Sequence, residues 1–388
     1  MKTADEKHIG AVSQAMPGSA TRPDRTDARG VADADEPVRP SGSGPCAHLT
    51  GGARLSTTRR KDEHIAICLE KDVGFRKTNG LERYDLVHQA LPELSLDDID
   101  MSTTFLGKRF RLPFFIEALT GGSQKASEIN RNLARAAHQL GIGMGVGSQR
   151  AMLEHPEITY TYQVRQLAPD MLLLGNIGGT QLAGLKTDAI VAMIDAIDAD
   201  GLAIHLNAAQ EICQPEGDTD WRDVLANIRR ICTRAPFPVI VKETGCGIDG
   251  QTARHLASAG VDGIDIAGAG GTSFTKVESC RSERRVQMLG EWGIPTAESL
   301  ERCRGVVTLP LIASGGIRNG IECAKCIALG ASLVGFAMPL LQAAHRSHRD
   351  VIHFLEARAE ELRKTMFLIG AKNIDALKRA TVLNRSSD

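Results

Sequence analysis

The sequence predicts an α/β fold, a closed (β/α)8 (TIM) barrel preceded by a disordered N-terminal extension. From about residue 110 the chain alternates short apolar runs with amphipathic segments, which is typical of βα units around a parallel sheet. Most runs begin roughly 25 to 30 residues apart, the length that one βα unit needs. Eight units over roughly 230 residues match a closed barrel better than an open, doubly wound sheet.

The eight apolar runs are the predicted barrel strands. In chain order they are Leu112–Leu119, Ile142–Gly147, Met171–Ile177, Leu202–Leu206, Val239–Val241, Gly263–Ala267, Leu311–Ala313 and Ser332–Ala337. Amphipathic segments between them predict helices, for example Gln124–Leu140, Asp188–Ala199, Trp221–Thr233, Thr252–Ala259 and Gly320–Leu329. The wider gap after the sixth run, residues 273–304, predicts an insertion at the active site.

Residues 1–58 form the predicted extension, and residues 59–388 form the predicted barrel domain. The extension mixes Ala, Asp, Gly, Ser, Pro and Arg with almost no apolar clustering. Such a composition buries too little apolar surface to offset chain entropy, which predicts disorder. A transit peptide is the functional alternative, but the many aspartates disfavour it.

Composition limits the partners and the compartment. Lys plus Arg total 46 against 47 for Asp plus Glu, so no global charge attracts nucleic acid or an anionic membrane. We find no N-terminal apolar leader and no apolar stretch long enough to span a bilayer, which predicts a cytoplasmic protein. The nine cysteines lack regular spacing. We expect the Cys323 and Cys326 pair, in a predicted helix, to be buried inert thiols rather than a redox or metal site.

Polar or glycine residues follow every predicted strand. The active site of a (β/α)8 barrel lies at the C-terminal ends of its strands, because side chains fill the interior below. One glycine pair would indicate only a tight turn, but the whole series predicts a binding rim. The strand ends are Thr120-Gly121-Gly122, Gly147-Ser148-Gln149-Arg150, Asn176-Ile177-Gly178, His205-Leu206-Asn207, Lys242-Glu243, Gly270-Gly271-Thr272, Ser314-Gly315-Gly316-Ile317-Arg318 and Ala337-Met338.

The last strand ends predict a phosphate site. Gly315-Gly316 and Arg318 precede a predicted helix and offer backbone N–H groups, a helix N-terminus and a guanidinium. Lys242 ends the fifth strand, where a cation would stabilise negative charge on a reduced cofactor ring. An ion pair between Lys242 and Glu243 is the simpler alternative.

The segment after the fourth strand is the densest in chemistry. His205 and Asn207 alternate on a strand and share one face, and we expect Gln210 and Glu211 on the following loop. A lone His is often a core residue, but this one shares a short stretch with amides and a carboxylate. One carboxylate with substrate phosphates is the usual way to hold Mg²⁺, so Glu211 is the predicted metal ligand.

The run Arg59-Arg60-Lys61-Asp62-Glu63-His64 brings three cations and an imidazole together. Composition alone favours a solvated charge run. Together with Arg150 and His205, the run could instead close over a diphosphate.

These motifs together resemble those of the type 2 isopentenyl-diphosphate isomerases. The resemblance extends from about Arg60 to the C-terminus, and the motif around His205 is its most specific part. The matching motifs, in family order, are Arg-Lys-x-Glu-His, Thr-Gly-Gly, Val-Gly-Ser-Gln-Arg, His-Leu-Asn-x-x-Gln-Glu with Pro-Glu-Gly-Asp, Val-Lys-Glu, Gly-Gly-Thr, Trp-Gly-Ile-Pro-Thr and Ala-Ser-Gly-Gly. Leu119 departs from the pattern, because many family members have Met there.

The resemblance implies a homo-oligomer, tetramer or octamer, with catalytic residues His205, Gln210 and Lys242, metal ligand Glu211, and NADPH as the reductant of the flavin. It implies FMN contacts from Leu119, Thr120, Gly121, Ser148, Asn176, Lys242, Thr272, Gly316, Ile317, Arg318, Ala337 and Met338. It implies substrate contacts from Arg60, Lys61, His64, Ser148, Gln149, Arg150, His205, Asn207 and Gln210.

The function that the resemblance implies is interconversion of isopentenyl and dimethylallyl diphosphate in isoprenoid biosynthesis. No pair of carboxylates is evident at the strand ends, so we expect reduced FMN to exchange the protons, with Gln210 orienting them and Lys242 stabilising the ring. An FMN-dependent 2-hydroxy-acid oxidase on the same barrel is the first alternative, although it would need a His base with a nearby Arg after Lys242. A flavin-binding regulatory or scaffold protein is the second.

Overall fold

The computed structural model describes residues 52–281 and 287–385. The helices are α1 (Gly52–Glu70), α2 (Gln124–Leu140), α3 (Arg150–Glu154), α4 (Thr187–Asp195), α5 (Ala208–Cys213), α6 (Val224–Arg234), α7 (Gly250–Ala259), α8 (Phe274–Arg281), α9 (Thr296–Arg304), α10 (Gly320–Ala328), α11 (Met338–Arg346), α12 (His348–Leu368) and α13 (Ile374–Lys378). The strands are β1 (Tyr84–Leu86), β2 (Thr103–Phe105), β3 (Lys108–Phe110), β4 (Phe114–Ile116), β5 (Gly143–Gly145), β6 (Leu173–Gly178), β7 (Gly201–Leu206), β8 (Val239–Glu243), β9 (Gly263–Asp265), β10 (Leu311–Ser314), β11 (Leu333–Phe336) and β12 (Val382–Asn384).

Strands β4 to β11 close into a parallel barrel, in the order β10-β11-β4-β5-β6-β7-β8-β9. Each of the eight predicted runs contains or overlaps one of these strands, so the predicted fold class is confirmed. Strand β6 is buried along its whole length. This burial is expected where one face of a strand packs in the barrel interior and the other packs against helices.

Local sequence sets the ends of the helices. Helix α2 has the predicted bounds because the Ser123 side chain accepts the N–H of Ala126 at its start, and Gly141 adopts a left-handed φ of 63° at its end. Helix α6 begins three residues later than predicted, since Asp223 has a left-handed φ of 60°. Helix α4 ends four residues early, in a turn that contains Asp198 with φ 52°.

A β-hairpin packs at the N-terminal end of the barrel, a feature that the sequence reading did not predict. Strands β2 and β3 pair through a turn in which Leu106 and Gly107 both have positive φ. Phe105 and Phe110 are buried on it, with ring centroids 6.4 Å apart. The Phe110 ring lies against Gly143, where a β-carbon would clash with it. The hairpin therefore covers the N-terminal end of the barrel, opposite the C-terminal ends of the strands.

Helix α1 runs through the predicted boundary between residues 58 and 59. Residues 1–51 of the predicted extension lie outside the described residues, so their disorder stays a prediction. The chain after α1 is paired with the loop that follows β9, because Phe75 N donates to Gly271 O and Ser273 N donates to Val73 O, at 2.9 and 2.8 Å. This pairing places α1 over the mouth of the barrel.

The cysteine pair behaves as predicted. Cys323 and Cys326 are both fully buried in α10, and burial raises the pKa of each thiol above its ordinary value. Both thiols therefore stay protonated and unreactive. In the described part of the chain, no helix combines the length and the apolar character needed to cross a bilayer.

We expect Phe110→Ala to destabilise the protein by about 3 to 5 kcal/mol, because it leaves a cavity under the barrel between Phe105 and Gly143. Urea unfolding followed by circular dichroism measures the change. Leu383→Ala is the control, since Leu383 is 54% exposed and its truncation should cost less than about 0.5 kcal/mol. Equal losses in the two variants would contradict a packing role for the hairpin.

Candidate active site

A cavity opens at the C-terminal mouth of the barrel, and the loops after all eight barrel strands and helix α1 contribute to its wall. The structure brings together nearly all the residues that the sequence singled out. Those that line the cavity are Arg60, Lys61, His64, Leu119, Thr120, Ser148, Arg150, Asn176, His205, Asn207, Gln210, Glu211, Lys242, Thr272, Gly316, Ile317, Arg318, Ala337 and Met338.

Two predicted contact residues lie outside that wall. Gly121 packs directly on the ring of Tyr162, where no β-carbon would fit. The Gln149 side chain is fully buried: its Nε2 donates to Met193 O at 3.2 Å, and its Oε1 accepts Asn176 N at 3.0 Å. Gln149 therefore fixes the end of β6 and turns away from the cavity.

The loops after β10 and β11 form an anion cradle. Gly315 and Gly316 have left-handed φ values of 100° and 75°, and a β-carbon on Gly315 would clash with the backbone of Gly268. The loop is held from outside, since Thr296 Oγ1 donates to Gly315 O at 2.6 Å. The N-terminus of α11 and Arg318 border the same space. This arrangement fits a phosphate monoester.

Lys242 lies at the floor of the cavity between two carboxyl groups. Its Nζ is 3.2 Å from Asp265 Oδ2 and 3.5 Å from Glu117 Oε2, and it donates to Glu243 O at 2.6 Å. Burial alone would lower the pKa of Lys242, but the neighbouring carboxyl groups, Asp265 first, outweigh burial and raise the pKa. Lys242 is therefore a permanent cation at this position.

The alternative pairing of Lys242 with the Glu243 carboxylate is wrong. The Glu243 side chain instead accepts the backbone N–H groups of Thr244 and Gly245, each at 2.6 Å, and that of Cys246. The Glu243 carboxylate thus accepts hydrogen bonds within the turn that follows β8, and only the Glu243 carbonyl contacts Lys242.

The expectation that the strand ends lack a pair of carboxyl groups is also wrong. Glu117 directly follows β4, and Asp265 is the last residue of β9; they are 4% and 1% exposed. Sequence reading missed them because both fall inside apolar runs. A carboxyl residue inside an apolar run is the signal that could have identified both residues, since Glu and Asp are rarely buried without a partner.

His205 is held as a neutral imidazole. Asn176 Nδ2 donates to Val146 O at 3.1 Å, which turns Asn176 Oδ1 toward His205 Nδ1 at 2.9 Å. Nδ1 must then carry the proton. Burial, followed by the charges of Lys242 and Lys61, lowers the pKa of His205 to about 3. The ring offers a lone pair at Nε2, and it must gain a second proton before it can donate to a diphosphate.

Gln210 and Glu211 lie on the short helix α5 rather than on the predicted loop. Asn207 Nδ2 donates to Glu211 Oε1 at 2.8 Å, and Asp218 N donates to Glu211 Oε2 at 2.7 Å. The carboxylate is thus fixed at the cavity wall with a lone pair remaining on each oxygen, which fits one protein ligand of a Mg²⁺ ion. In residues 52–281 and 287–385, no group of three His, Cys, Asp or Glu residues forms a metal cage.

Glu278 on α8 is a site residue that sequence reading did not identify individually. The predicted insertion at 273–304 contains it, but nothing local distinguishes it. Gln210 Nε2 donates to Glu278 Oε1 at 2.9 Å, His64 Nε2 lies 2.9 Å from the same atom, and Arg281 Nη1 pairs with Oε2 at 2.6 Å. Burial would raise the pKa of Glu278, but these partners, His64 first, lower it. Glu278 is an anion that orients the Gln210 amide.

Helix α1 carries the charge run into the site. Lys61 Nζ donates to Ser148 O at 2.7 Å and to Tyr162 Oη at 3.0 Å, while Arg59 points to solvent. Burial, and then the neighbouring charge of Arg60, lowers the pKa of Lys61 to about 7. Of the three cations in this run, only Arg59 is solvated in the way that composition alone favours. Arg60, Lys61 and Arg150 line the same cavity as the anion cradle and are called here the cationic rim.

Comparison with known proteins identifies relatives along most of the chain. Residues 54–164 and 188–384 match the model of the FMN-dependent dehydrogenase family. An isopentenyl-diphosphate delta-isomerase of Nostoc sp. is 46% identical over 339 residues, which cover 85% of this chain and 96% of the relative. The enzyme of the same name from Methanothermobacter thermautotrophicus is 46% identical, with 84% and 92% coverage.

Solved structures share the fold at low sequence identity. A lactate oxidase of Pediococcus acidilactici superposes with a TM-score of 0.62 at 17% identity, covering 86% of this chain and 94% of that one. A mandelate oxidase bound to (S)-2-phenylpropionate gives a TM-score of 0.58 at 20% identity, with 85% and 98% coverage. These two likenesses establish a common barrel architecture and nothing about substrate.

We expect the Lys61 amine to titrate near pH 7, because burial and Arg60 disfavour its charged form. Competitive acetylation over a range of pH, followed by mass spectrometry of the Lys61 peptide, measures the midpoint. Arg60→Gln should raise the midpoint by removing a positive charge, and Glu154→Gln should lower it, since Glu154 favours the charged amine. A midpoint like that of free lysine would contradict this assignment.

Proposed function

The chain belongs to the family of type 2, FMN-dependent isopentenyl-diphosphate delta-isomerases, and we propose on that premise that it interconverts isopentenyl diphosphate and dimethylallyl diphosphate with reduced FMN and Mg²⁺. One observation carries the proposal. One cavity is lined by the residues of the anion cradle, by the cationic rim and by Gln210. A cofactor phosphate at the cradle and a substrate diphosphate at the rim would each have a site of their own.

The cofactor would lie between the cradle and Lys242. Gly316, Ile317, Arg318, Ala337 and Met338 would bind its phosphate at the helix N-termini. The ring would lie against Thr120, Asn176, Lys242 and Thr272, with Leu119 and Ser148 beside it. Reduced FMN, when bound, would supply a proton donor and acceptor. Lys242 would stabilise negative charge on the ring because it is cationic and cannot leave its carboxyl partners.

The substrate diphosphate would bind the cationic rim. Arg60, Lys61 and Arg150 supply positive charge, and Glu211 would hold Mg²⁺ that bridges to the diphosphate oxygens. His205 and Asn207 lie beside this region, on and just after β7. Diphosphate binding favours protonation of Lys61 and of the His205 ring, since a nearby anion raises the pKa of a base. Both groups would then donate hydrogen bonds to the substrate.

Gln210 would face the alkene. Its Nε2 donates to Glu278, which fixes the rotation of the amide, while Oε1 accepts Asn207 Nδ2 at 3.3 Å and keeps a second lone pair for the substrate. An oriented carbonyl oxygen can stabilise positive charge that develops on the alkene when a proton is added. This role needs no net oxidation or reduction.

The oxidase alternative shares the fold but lacks support in the site. A 2-hydroxy-acid oxidase would need a His base after Lys242. His255, His345, His348 and His353 all lie in the described part of the chain, and none of them lines the cavity. The flavin-binding scaffold alternative gives no purpose to the cationic rim or to the fixed Glu211.

We extend the proposal to the setting of the enzyme. NADPH would reduce the flavin once rather than at each turnover, and the protein would act in the cytoplasm as a homo-oligomer, a tetramer or octamer. Its partners would be small molecules in isoprenoid biosynthesis, without nucleic acid or a membrane.

We expect many molecules of dimethylallyl diphosphate per NADPH consumed when the full chain is incubated anaerobically with isopentenyl diphosphate, FMN, Mg²⁺ and NADPH. Product is measured by chromatography, and NADPH by absorbance. Omitting isopentenyl diphosphate gives the background. One NADPH per product, or flavin reduction by lactate, would replace the isomerase with an oxidoreductase.

We expect Gln210→Asn to lower kcat on the order of 100-fold, because the shortened amide cannot reach both Glu278 and the alkene. KM for isopentenyl diphosphate should change far less, since the charged rim is intact. Gln181→Asn is the matched control, because Gln181 lines the cavity and donates to Thr180 Oγ1 without contacting Glu278. Full turnover by Gln210→Asn would remove Gln210 from the mechanism.

A further inference from the structure

A buried carboxyl pair below the proposed flavin site has no part in the mechanism above. Glu117 directly follows β4 and Asp265 ends β9, with β10 and β11 between these strands in the barrel, yet both contact the Lys242 ammonium. Their side chains are among the most buried charged groups of the protein, at 5% and 1% exposure. Two carboxylates and one ammonium would carry a net charge of −1 on side chains that are almost completely buried. Burying such an excess charge is costly.

Hydrogen bonding around the pair is incomplete unless one more proton is present. Asp265 Oδ1 accepts Ser314 Oγ at 2.7 Å and Ala267 N at 3.3 Å. Among the residues whose side chains are described, both oxygens of Glu117 and Oδ2 of Asp265 accept no hydrogen bond. One N–H of the Lys242 ammonium donates to Glu243 O at 2.6 Å, and Nζ also lies 3.2 Å from Asp265 Oδ2 and 3.5 Å from Glu117 Oε2. These longer contacts are ion pairs without well-directed hydrogen bonds, and Glu117 Oε1 has no donor among the described residues, a situation that native proteins rarely tolerate.

A proton on Glu117 removes both the excess negative charge and the lack of a hydrogen-bond donor. A protonated Glu117 becomes a donor to Asp265 Oδ2, and the trio with Lys242 becomes neutral. Asp265 Oδ1 accepts two hydrogen bonds, which favours the ionised form of Asp265, whereas Glu117 accepts none. The proton is therefore expected on Glu117. Burial raises the pKa of Glu117 well above its ordinary value, and the charge of Asp265 adds to the effect. Of the other ionisable neighbours of Lys242, the His205 ring is neutral, and Glu243 is an acid that can add no positive charge.

We propose that Glu117 is a protonated positioning residue that donates to Asp265 and so sets how much of the Lys242 charge acts on the cofactor ring. With Glu117 neutral, one anion rather than two offsets Lys242, and the cation stabilises an electron-rich ring. The hydrogen bond to Asp265 also shares the negative charge of Asp265 between two partners. This inference rests on the proposed binding of the flavin ring at Lys242.

The reduction potential of bound FMN tests the charge assignment. Glu117→Gln keeps the shape and the donor of a protonated Glu117, so its potential should equal that of the wild type near neutral pH. Glu117→Leu removes the donor, which leaves Asp265 to pair with Lys242 alone, and it should shift the potential to more negative values. Asp265→Asn removes the one true anion and should shift the potential to more positive values.

Two results would overturn the proposal. A positive shift in Glu117→Gln, like that of Asp265→Asn, would show that Glu117 is ionised. A wild-type potential in Glu117→Leu would show that residue 117 only fills space.

Infrared spectroscopy of the full chain without flavin separates this inference from the proposed function. The C=O stretch of a buried protonated carboxylic acid should be present in the wild type and absent in Glu117→Gln. Glu278→Gln is the matched control, since Glu278 is a buried anion and should contribute no such band. If the protein failed to bind FMN, the proposed function would fail while this band still reported the proton. Absence of the band in the wild type would overturn the proton assignment.

Discussion

Closure of β4 to β11 into a ring is the constraint on which the rest of the structure depends. Side chains fill the interior of the ring, so the active-site cavity opens at the C-terminal ends of the strands. Residues as distant in sequence as Lys61, Lys242 and Arg318 become neighbours of one cavity. The hairpin of β2 and β3 covers the opposite end, where Phe105 and Phe110 are buried. The chemistry is thereby confined to the mouth.

The mouth of the barrel holds two kinds of basic group. The group at the floor keeps its charge, whereas those at the rim can change their protonation state. At the floor, Lys242 keeps its charge because carboxyl groups flank it. At the rim, desolvation and like charges hold Lys61 and His205 close to or in their neutral forms. Arrival of an anion reverses that balance, because an opposite charge favours the protonated base. The cavity is therefore built to gain positive charge when an anionic substrate binds, and to avoid an excess of it beforehand.

Helix α1 and the insertion after β9 close this mouth together. Arg281 on α8 pairs with Glu63 on α1 at 3.2 Å and with Glu216 at 2.9 Å. On the other side of α1, Ser123 Oγ donates to Asp62 Oδ1 at 2.7 Å. Glu278 lies within the same network and contacts both His64 and Gln210. The segment that brings cations to the substrate is thus joined directly to the amide proposed to act on the alkene.

The sequence alone determined the barrel and most of its rim. The periodicity of apolar residues identifies the strands, and the glycine and polar residues that follow each run mark where the strand ends. The sequence placed the eight strands, the glycines of the cradle, and the residues His205, Asn207 and Glu211. The tertiary structure decided which side chains meet. Gln149 turned inward, and Lys242 paired across strands with Glu117 and Asp265 instead of with its neighbour Glu243. Contacts between β4, β8 and β9 depend on ring closure, and no local pattern records the distance between residues 117, 242 and 265.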